Sequence, residues 1–222
     1  RAWGLPTLLV PSLIDSGKAY KPNSPCDVAT RDVLNLVYVG QFKPDEAVGD
    51  LLEGVRLARK RGCPVELHVV GNNGQTGNGR RVQKQVSADV HLDSHVHFRG
   101  WLSEEEYNRT LATADALVLL RKTTTRARAA FPTRLPELLA TGKPVITNDV
   151  PDVPGYLCDR EHAHVVAVGR PDLLADRLEE VFRNPDEQTG IGVSGSRRIQ
   201  ECFDYRKHGQ RISQFIREEI AC

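Results

Sequence analysis

Short apolar runs alternate along this chain with longer stretches whose apolar residues recur every three or four positions. "LNLVYVG" (34–40) predicts a strand that ends in glycine. "PDEAVGDLLEGVRLARKRG" then places Val48, Leu51, Leu52, Val55, Leu57 and Ala58 at helical spacing, with proline at the start and Gly62 after the end. "PVELHVVG" (64–71) predicts a second strand, followed by the glycine-rich "GNNGQTGNG" and a polar helix near 80–90. A strand at "HVHFRG" (95–100) leads into a helix at "SEEEYNRTLATA" (103–114), whose Ser103 and Glu106 form a capping-box pattern. "DALVLLR" (115–121), "PVITN" (144–148) and "AHVVAVG" (163–169) read as further strands. Helices are expected between the first two of these, at "PDLLADRLEEVFRN" (171–184), and over the closing "DYRKHGQRISQFIREEI" (204–220).

Strands and helices alternating in this way predict βαβ units and an α/β, doubly wound, Rossmann-like parallel sheet. Ligands of such sheets lie beyond the carboxyl ends of the strands. The loops after Gly40, Gly71, Gly100 and Leu120 are therefore expected to face one crevice. Residues 1–30, rich in Pro and Ser, read as a linker carrying one short strand, "TLLV". Residues 31–200 read as the doubly wound sheet domain, and 201–222 as a terminal helical segment.

Composition narrows the classes. Hydrophobic residues make up 40% and charged residues 27% of the 222 positions, an ordinary globular mixture. Thirty Lys and Arg against 29 Asp and Glu leave a net charge of +1, which gives no support to a nucleic-acid partner. No apolar run approaches the roughly 18–20 residues of a membrane span. Cys26, Cys63, Cys158, Cys202 and Cys222 are odd in number and scattered, so reduced thiols and a cytoplasmic compartment are expected. The chain begins at Arg1 and has no methionine, which reads as a piece of a longer protein.

Three stretches carry candidate chemistry. The glycine-rich run after Val70 does not follow G-x-G-x-x-G and lacks a P-loop Lys-Ser/Thr, so it reads first as a crevice loop, with phosphate binding as the alternative. A nucleotide-dependent oxidoreductase would rest on that run alone. In "HLDSHVHF", His95 and His97 share one face of a strand, a geometry open to a metal, but a structural role is the stronger reading and no metal site is expected. "FPTRLPELLATGKPVITND" (131–149) places Arg134 and Glu137 one turn apart at a helix start. Thr133 can cap that helix, and Pro136 is tolerated in its first turn. An arginine suits phosphate oxygens and an ionised glutamate suits paired hydroxyls. A plain surface ion pair, worth a few tenths of a kcal/mol, fits the same residues.

Taken in order, several blocks resemble the nucleotide-sugar-binding C-terminal half of GT-B fold glycosyltransferases, above all the retaining enzymes of family 4. "LLVPSLIDSGKAYKP" resembles that family's interdomain segment, and "VYVGQFKPDEAVGDLLEGV" its first strand, loop and helix. "VELHVVGNNG", "VHFRGWLSEEEYNRTLATADALVLL" and "FPTRLPELLATGKPVITNDV" are similar to the blocks that follow, the last being the donor site.

The resemblance implies roles. Glu137 falls on the second glutamate of the family's E-x7-E motif and would bind the donor ribose. The backbone at Thr133, Arg134 and Leu135, and the loop at Gly40 and Gln41, would meet the diphosphate. Trp101 and Leu102 would hold the nucleobase. Three departures stand out: Ala129 replaces the first glutamate, and Gln41 and Glu46 replace an arginine and a lysine that neutralise the leaving diphosphate. Lys43, Arg121, Lys122 and Arg134 are the available substitutes, with Arg134 and Lys43 expected to act in catalysis. Arg126 and Arg128 add charge to an unusually long loop.

The resemblance thus implies a glycosyltransferase of glycan or polysaccharide synthesis, metal-independent and needing no cofactor, the nucleotide-sugar being its substrate. It implies an unidentified acceptor and a preceding N-terminal domain, without which this chain is expected to be inactive. Peripheral attachment to the inner membrane face stays open, as does oligomeric state. A noncatalytic domain that kept the fold is the alternative. A terminal apolar stripe, Phe203, Ile212, Phe215, Ile216 and Ile220, would cross to the missing domain and be left partly uncovered.

Overall fold

The computed structural model describes residues 6–15, 32–71, 77–125 and 131–219. Six strands form one all-parallel sheet: β1 (Leu34–Val39), β2 (Val65–Val70), β3 (Val96–Gly100), β4 (Ala116–Leu119), β5 (Val145–Asn148) and β6 (His164–Val166). Their order is β3-β2-β1-β4-β5-β6. The chain therefore winds outward from β1 in one direction and from β4 in the other, leaving a crevice where β1 and β4 meet. The helices are α1 (Val48–Lys60), α2 (Gly77–Ser87), α3 (Glu104–Thr113), α4 (Arg134–Ala140), α5 (Val153–Tyr156), α6 (Pro171–Arg183), α7 (Pro185–Cys202) and α8 (Tyr205–Glu219).

Alternation along the strands divides the core. Leu36 and Tyr38 of β1 point to one face, with Leu67, Val69 and Val118, where they meet Leu51, Leu52 and Val55 of α1 and Leu174 and Leu178 of α6. Val37 and Val39 point to the other, with Leu117 and Leu119, against Leu111 of α3, Leu135, Leu138 and Leu139 of α4, and Ile199. Burial on both faces explains why the strands read as near-continuous apolar runs. Gly54 lets α1 and α6 approach: a Cβ there would lie 2.5 Å from Leu174 Cδ2.

The Ser103 capping box is formed as expected, with Glu106 N–H donating to Ser103 Oγ at 3.3 Å and Ser103 N–H to Glu106 Oε2 at 3.0 Å. Other expectations need correction. "TLLV" is not a strand: residues 7–10 carry no regular secondary structure, and among the described residues this segment forms one β-bridge, at Ile14, whose N–H donates to Phe203 O at 3.0 Å. The helix α7 was not expected at all. Phe203 is buried between Phe131 and Tyr156, ring centroids 5.3 and 5.0 Å away, so it belongs to the core and not to a terminal stripe. The stripe's remaining described members, Ile212, Phe215 and Ile216, lie on α8, where only His208 is buried; Ile220 lies outside the described residues. No helix among the described residues is long and apolar enough to cross a membrane.

Candidate functional site

The strand ends around the crevice are laced together through glycines. Gly40 N–H donates to Val70 O at 3.0 Å and Gly71 N–H to Gly100 O at 2.7 Å. Gly71 has φ +94°, and a Cβ on it would press on the Gly40 carbonyl at 3.0 Å, so β1 and β2 can end side by side only with glycine there.

Where β1 and β4 diverge lies a pocket of about 270 Å³ lined by Lys43, Asp45, Glu46, Arg121, Thr133 and Arg134 over a floor of Leu119, Phe131 and Pro132. Arg134 opens α4 and donates from Nη1 to Val39 O, the last carbonyl of β1, at 2.8 Å. That bond fixes the guanidinium at the switch point. Glu137 sits one turn on, and among the described residues the two form no ion pair, which removes the plain surface pair as an explanation of their spacing. Burial raises the Glu137 carboxyl above its ordinary value and the Arg134 charge only partly offsets this. Burial first, and the Glu137 charge next, raise the Tyr107 phenol above its ordinary value. Arg134, Glu137 and Tyr107 therefore share one electrostatic neighbourhood.

The remaining expected residues divide. Arg121 lines the pocket but its Nη2 is bonded to Asp45 Oδ2, while Asn148 clamps its backbone, accepting from the N–H at 3.1 Å and donating to the carbonyl at 2.6 Å. Its buried Nε has no partner among the described residues. Lys122 is absent from this pocket's lining. It lines a neighbouring one of about 390 Å³ with Arg81, Asn78 and Lys43, so Lys43, like Glu46, faces both. Thr133 reaches the pocket but does not cap α4: it is already helical, with φ −58° and ψ −28°, and its side chain makes no cap bond. Leu135 is fully buried, and its amide is engaged by Pro132 O at 2.9 Å. Trp101 stands 70% exposed beyond β3. Leu102 half-covers the second core and lines a separate groove of about 430 Å³ between α3 and β1 to β3.

Gln41 and Glu46 are brought together. Gln41 N–H and Lys43 N–H donate to Glu46 Oε2 at 3.1 and 2.8 Å, and the Tyr38 hydroxyl donates to the same oxygen at 2.8 Å. Burial first, and the Glu46 charge next, hold the Tyr38 phenol well above its usual range. Sequence reasoning overlooked Tyr38, Asp45 and Asn148. Only Tyr38 left a signal, as a polar-tipped residue in a buried strand that needs a partner. Residues 126–130, with Arg126, Arg128 and Ala129, lie outside the described residues, as do 72–76 of the glycine-rich run.

Two other clusters have internal explanations. His95 Nδ1 and His97 Nε2 bond opposite oxygens of Glu66 at 2.7 and 2.6 Å, which ties β3 to β2. Cys158, Glu161 and His162 could bring ligand atoms within 4.8 Å of one another. They precede β6, at the end of the sheet opposite the crevice, and Cys158 N–H donates to His162 Nδ1 at 3.0 Å. That bond occupies the Nδ1 lone pair, the one such a ring would offer a metal at that nitrogen.

The strand order and the crevice at its reversal define a doubly wound, Rossmann-like domain. The family described as "Glycosyl transferases group 1" matches residues 34–184, and the chain belongs to it. No curated protein matches the chain. Among solved structures, Anabaena Alr3699/HepE in complex with UDP-glucose is 17% identical, with a TM-score of 0.73 over 92% of this chain and 55% of its own. TarM is 15% identical, with a TM-score of 0.72 over 86% of this chain and 36% of its own. The C-terminal domain of LpcC from Francisella tularensis, 15% identical with a TM-score of 0.69, is covered over 99% of its length. The chain thus spans about half of HepE or less than half of TarM, and these likenesses carry the fold.

Proposed function

We propose that this chain is the donor-binding half of a glycosyltransferase that takes its sugar from a nucleoside diphosphate. The observation that carries the reading is the placement of Arg134: anchored on the last carbonyl of β1, it opens the switch-point pocket beside a glutamate it does not neutralise. An anchored guanidinium presents donors to phosphate oxygens without reorganising, while an ionised Glu137 accepts the paired hydroxyls of a ribose. Lys43 supplies a second cation, and Arg121, restrained by Asp45, a weaker third. Gly40 and Gln41 border the diphosphate, as does the backbone of Thr133, whereas the Leu135 amide is held by Pro132 O. Trp101 and Leu102 take the base beyond β3, and Lys122 approaches from the neighbouring pocket. HepE, similar in fold, is described with UDP-glucose bound, which favours a uridine nucleotide among the candidates.

On this reading protein cations stabilise the departing diphosphate, so neither a metal nor a further cofactor enters, and the anomeric configuration is retained. The acceptor is a glycan or lipid-linked sugar held by an N-terminal domain, and the setting is polysaccharide synthesis at the cytoplasmic side of a membrane or in the cytoplasm. Calorimetric titration with a panel of nucleoside diphosphates tests it. One nucleotide is expected to bind in the micromolar to millimolar range, and failure of all of them to bind folded protein contradicts the reading. A second reading, a noncatalytic domain that kept the fold, draws on one observation: the Glu46 carboxylate already fills the loop that follows β1.

A further inference from the structure

The loop from Gly40 to Ala47 is built like an anion receptor. Phe42 holds a left-handed φ of 57° and is buried, stacked on Tyr38 with ring centroids 6.0 Å apart and edge-on to Phe98 at 6.3 Å. Asn78 Nδ2 locks its carbonyl at 3.1 Å. A left-handed residue between two others turns the flanking amides toward one point, the arrangement that makes a backbone anion nest. Here the flanking amides are those of Gln41 and Lys43, and the Tyr38 hydroxyl comes up from below to the same point. Three donors meet at 2.8 to 3.1 Å on one oxygen, Glu46 Oε2. Such a cradle suits a phosphate oxygen as well as a carboxylate.

The carboxylate is delivered from close by. Lys43 O accepts from Glu46 N–H at 3.0 Å, closing a tight turn through Pro44. The turn is tied to the β4 side by Lys122 N–H on Asp45 O at 2.9 Å and Ala47 N–H on Leu120 O at 3.1 Å. Glu46 nonetheless lines both the switch-point pocket and its neighbour, so its cradle borders open space that a ligand can enter.

We propose that Glu46 is a resident anion in an oxyanion cradle formed by Gln41 N–H, Lys43 N–H and the Tyr38 hydroxyl, and that it competes with a phosphate group of any ligand entering the pocket. Glu46 thereby sets the affinity of the site for phosphate, rejecting simple polyphosphates unless other contacts hold them. The inference rests on the donor-site reading for its biological ligand, but the competition is a property of the loop itself.

Inorganic pyrophosphate is the probe, titrated into wild type, Glu46→Gln and Glu46→Ala while the amide resonances of Gln41 and Lys43 are followed. Removing one like charge beside the anion, and opening the cradle, should tighten pyrophosphate binding in Glu46→Ala about tenfold. The Gln41 and Lys43 amides should shift on titration in that variant and stay nearly still in wild type. Glu46→Gln, which leaves a neutral oxygen in place, should fall between and serves if the alanine variant does not fold. Unchanged or weaker binding in both variants, or binding that leaves those two amides unmoved, overturns the proposal. A wild type that binds no nucleotide refutes the donor reading alone, because the gain in the Glu46 variants is read with pyrophosphate.

Discussion

Arg134 and Glu137 stand one turn apart on α4 without pairing: the guanidinium reaches back to Val39 O at 2.8 Å, while Glu137 stays outside the lining of the switch-point pocket. Two opposite charges at i and i+3 on an exposed helix ordinarily gain a few tenths of a kcal/mol by meeting. Here a charge-assisted bond to a strand-end carbonyl wins, because it fixes one side chain against a rigid element. The result is a polarised site, with cationic donors over the β1–β4 gap and an acceptor one turn along.

The anchoring bond has a measurable structural worth. Arg134→Met should lower unfolding free energy by about 1–2 kcal/mol through loss of a hydrogen bond from a charged donor. Chemical denaturation measures it, and an unchanged midpoint would show that the Val39 contact contributes nothing in solution.

Glu137 should reveal itself in the pH dependence of stability. Its folded carboxyl lies above the ordinary 4.5, pushed up by burial against the Arg134 charge. An acid raised on folding is favoured when protonated, so its ionisation costs stability as pH rises through the folded value. Glu137→Gln should therefore be more stable than wild type at pH 7, by less than about 1 kcal/mol given its exposure, and equal to it in acid. The opposite sign at pH 7 would mean that a cation holds the carboxylate.

His68 carries a pH signature of its own on the sheet face beneath α3. Burial, then the Arg99 and His97 charges, lower its pKa from 6.5 to about 4. The ring accepts from Arg99 at Nδ1, 3.1 Å away, and meets Asn35 Oδ1 from Nε2 at 3.3 Å, so it is neutral in the folded state. Between those two pH values the unfolded chain binds the proton and the folded one does not, so stability falls as pH drops through that window. His68→Gln should flatten that decline by on the order of 1–2 kcal/mol, discounted for a half-buried ring. Parallel curves for wild type and variant would contradict it.

Packing of α7 on the α4–β5 turn depends on a missing side chain. A Cβ on Gly192 would lie 2.1 Å from the Gly142 carbonyl oxygen. Gly192→Ala should cost about 1–3 kcal/mol despite its better helix propensity, whereas Gly190→Ala, with open space around it, should be neutral or stabilising. Thermal unfolding of the pair separates packing from propensity.

That glycine explains what the sequence hid. β1 and β4 were legible because burial on both faces leaves unbroken apolar runs, and α1 because its apolar stripe ends at Gly62. Gly190, Gly192 and Gly195 made α7 unreadable: they weaken the helix signal, and close approach to another backbone is a tertiary fact. Arg134 and Glu137 could be found from spacing, since helix geometry fixes which residues are neighbours. Glu46 stood out only as a residue of unexpected charge. Its contacts depend on the backbone sign at Phe42, which no periodicity encodes, and the Asp45–Arg121 pair spans a crossover that only the folded sheet closes.

The division of labour between Arg134 and Glu137 is the central claim, and parts of a nucleotide test it most directly. Uridine, pyrophosphate and UDP would each be titrated into wild type, Arg134→Ala and Glu137→Ala. The account predicts that Arg134→Ala weakens pyrophosphate and UDP but spares uridine, and that Glu137→Ala weakens uridine and UDP but spares pyrophosphate. Substitutions that weaken all three ligands alike, or none of them, would contradict it.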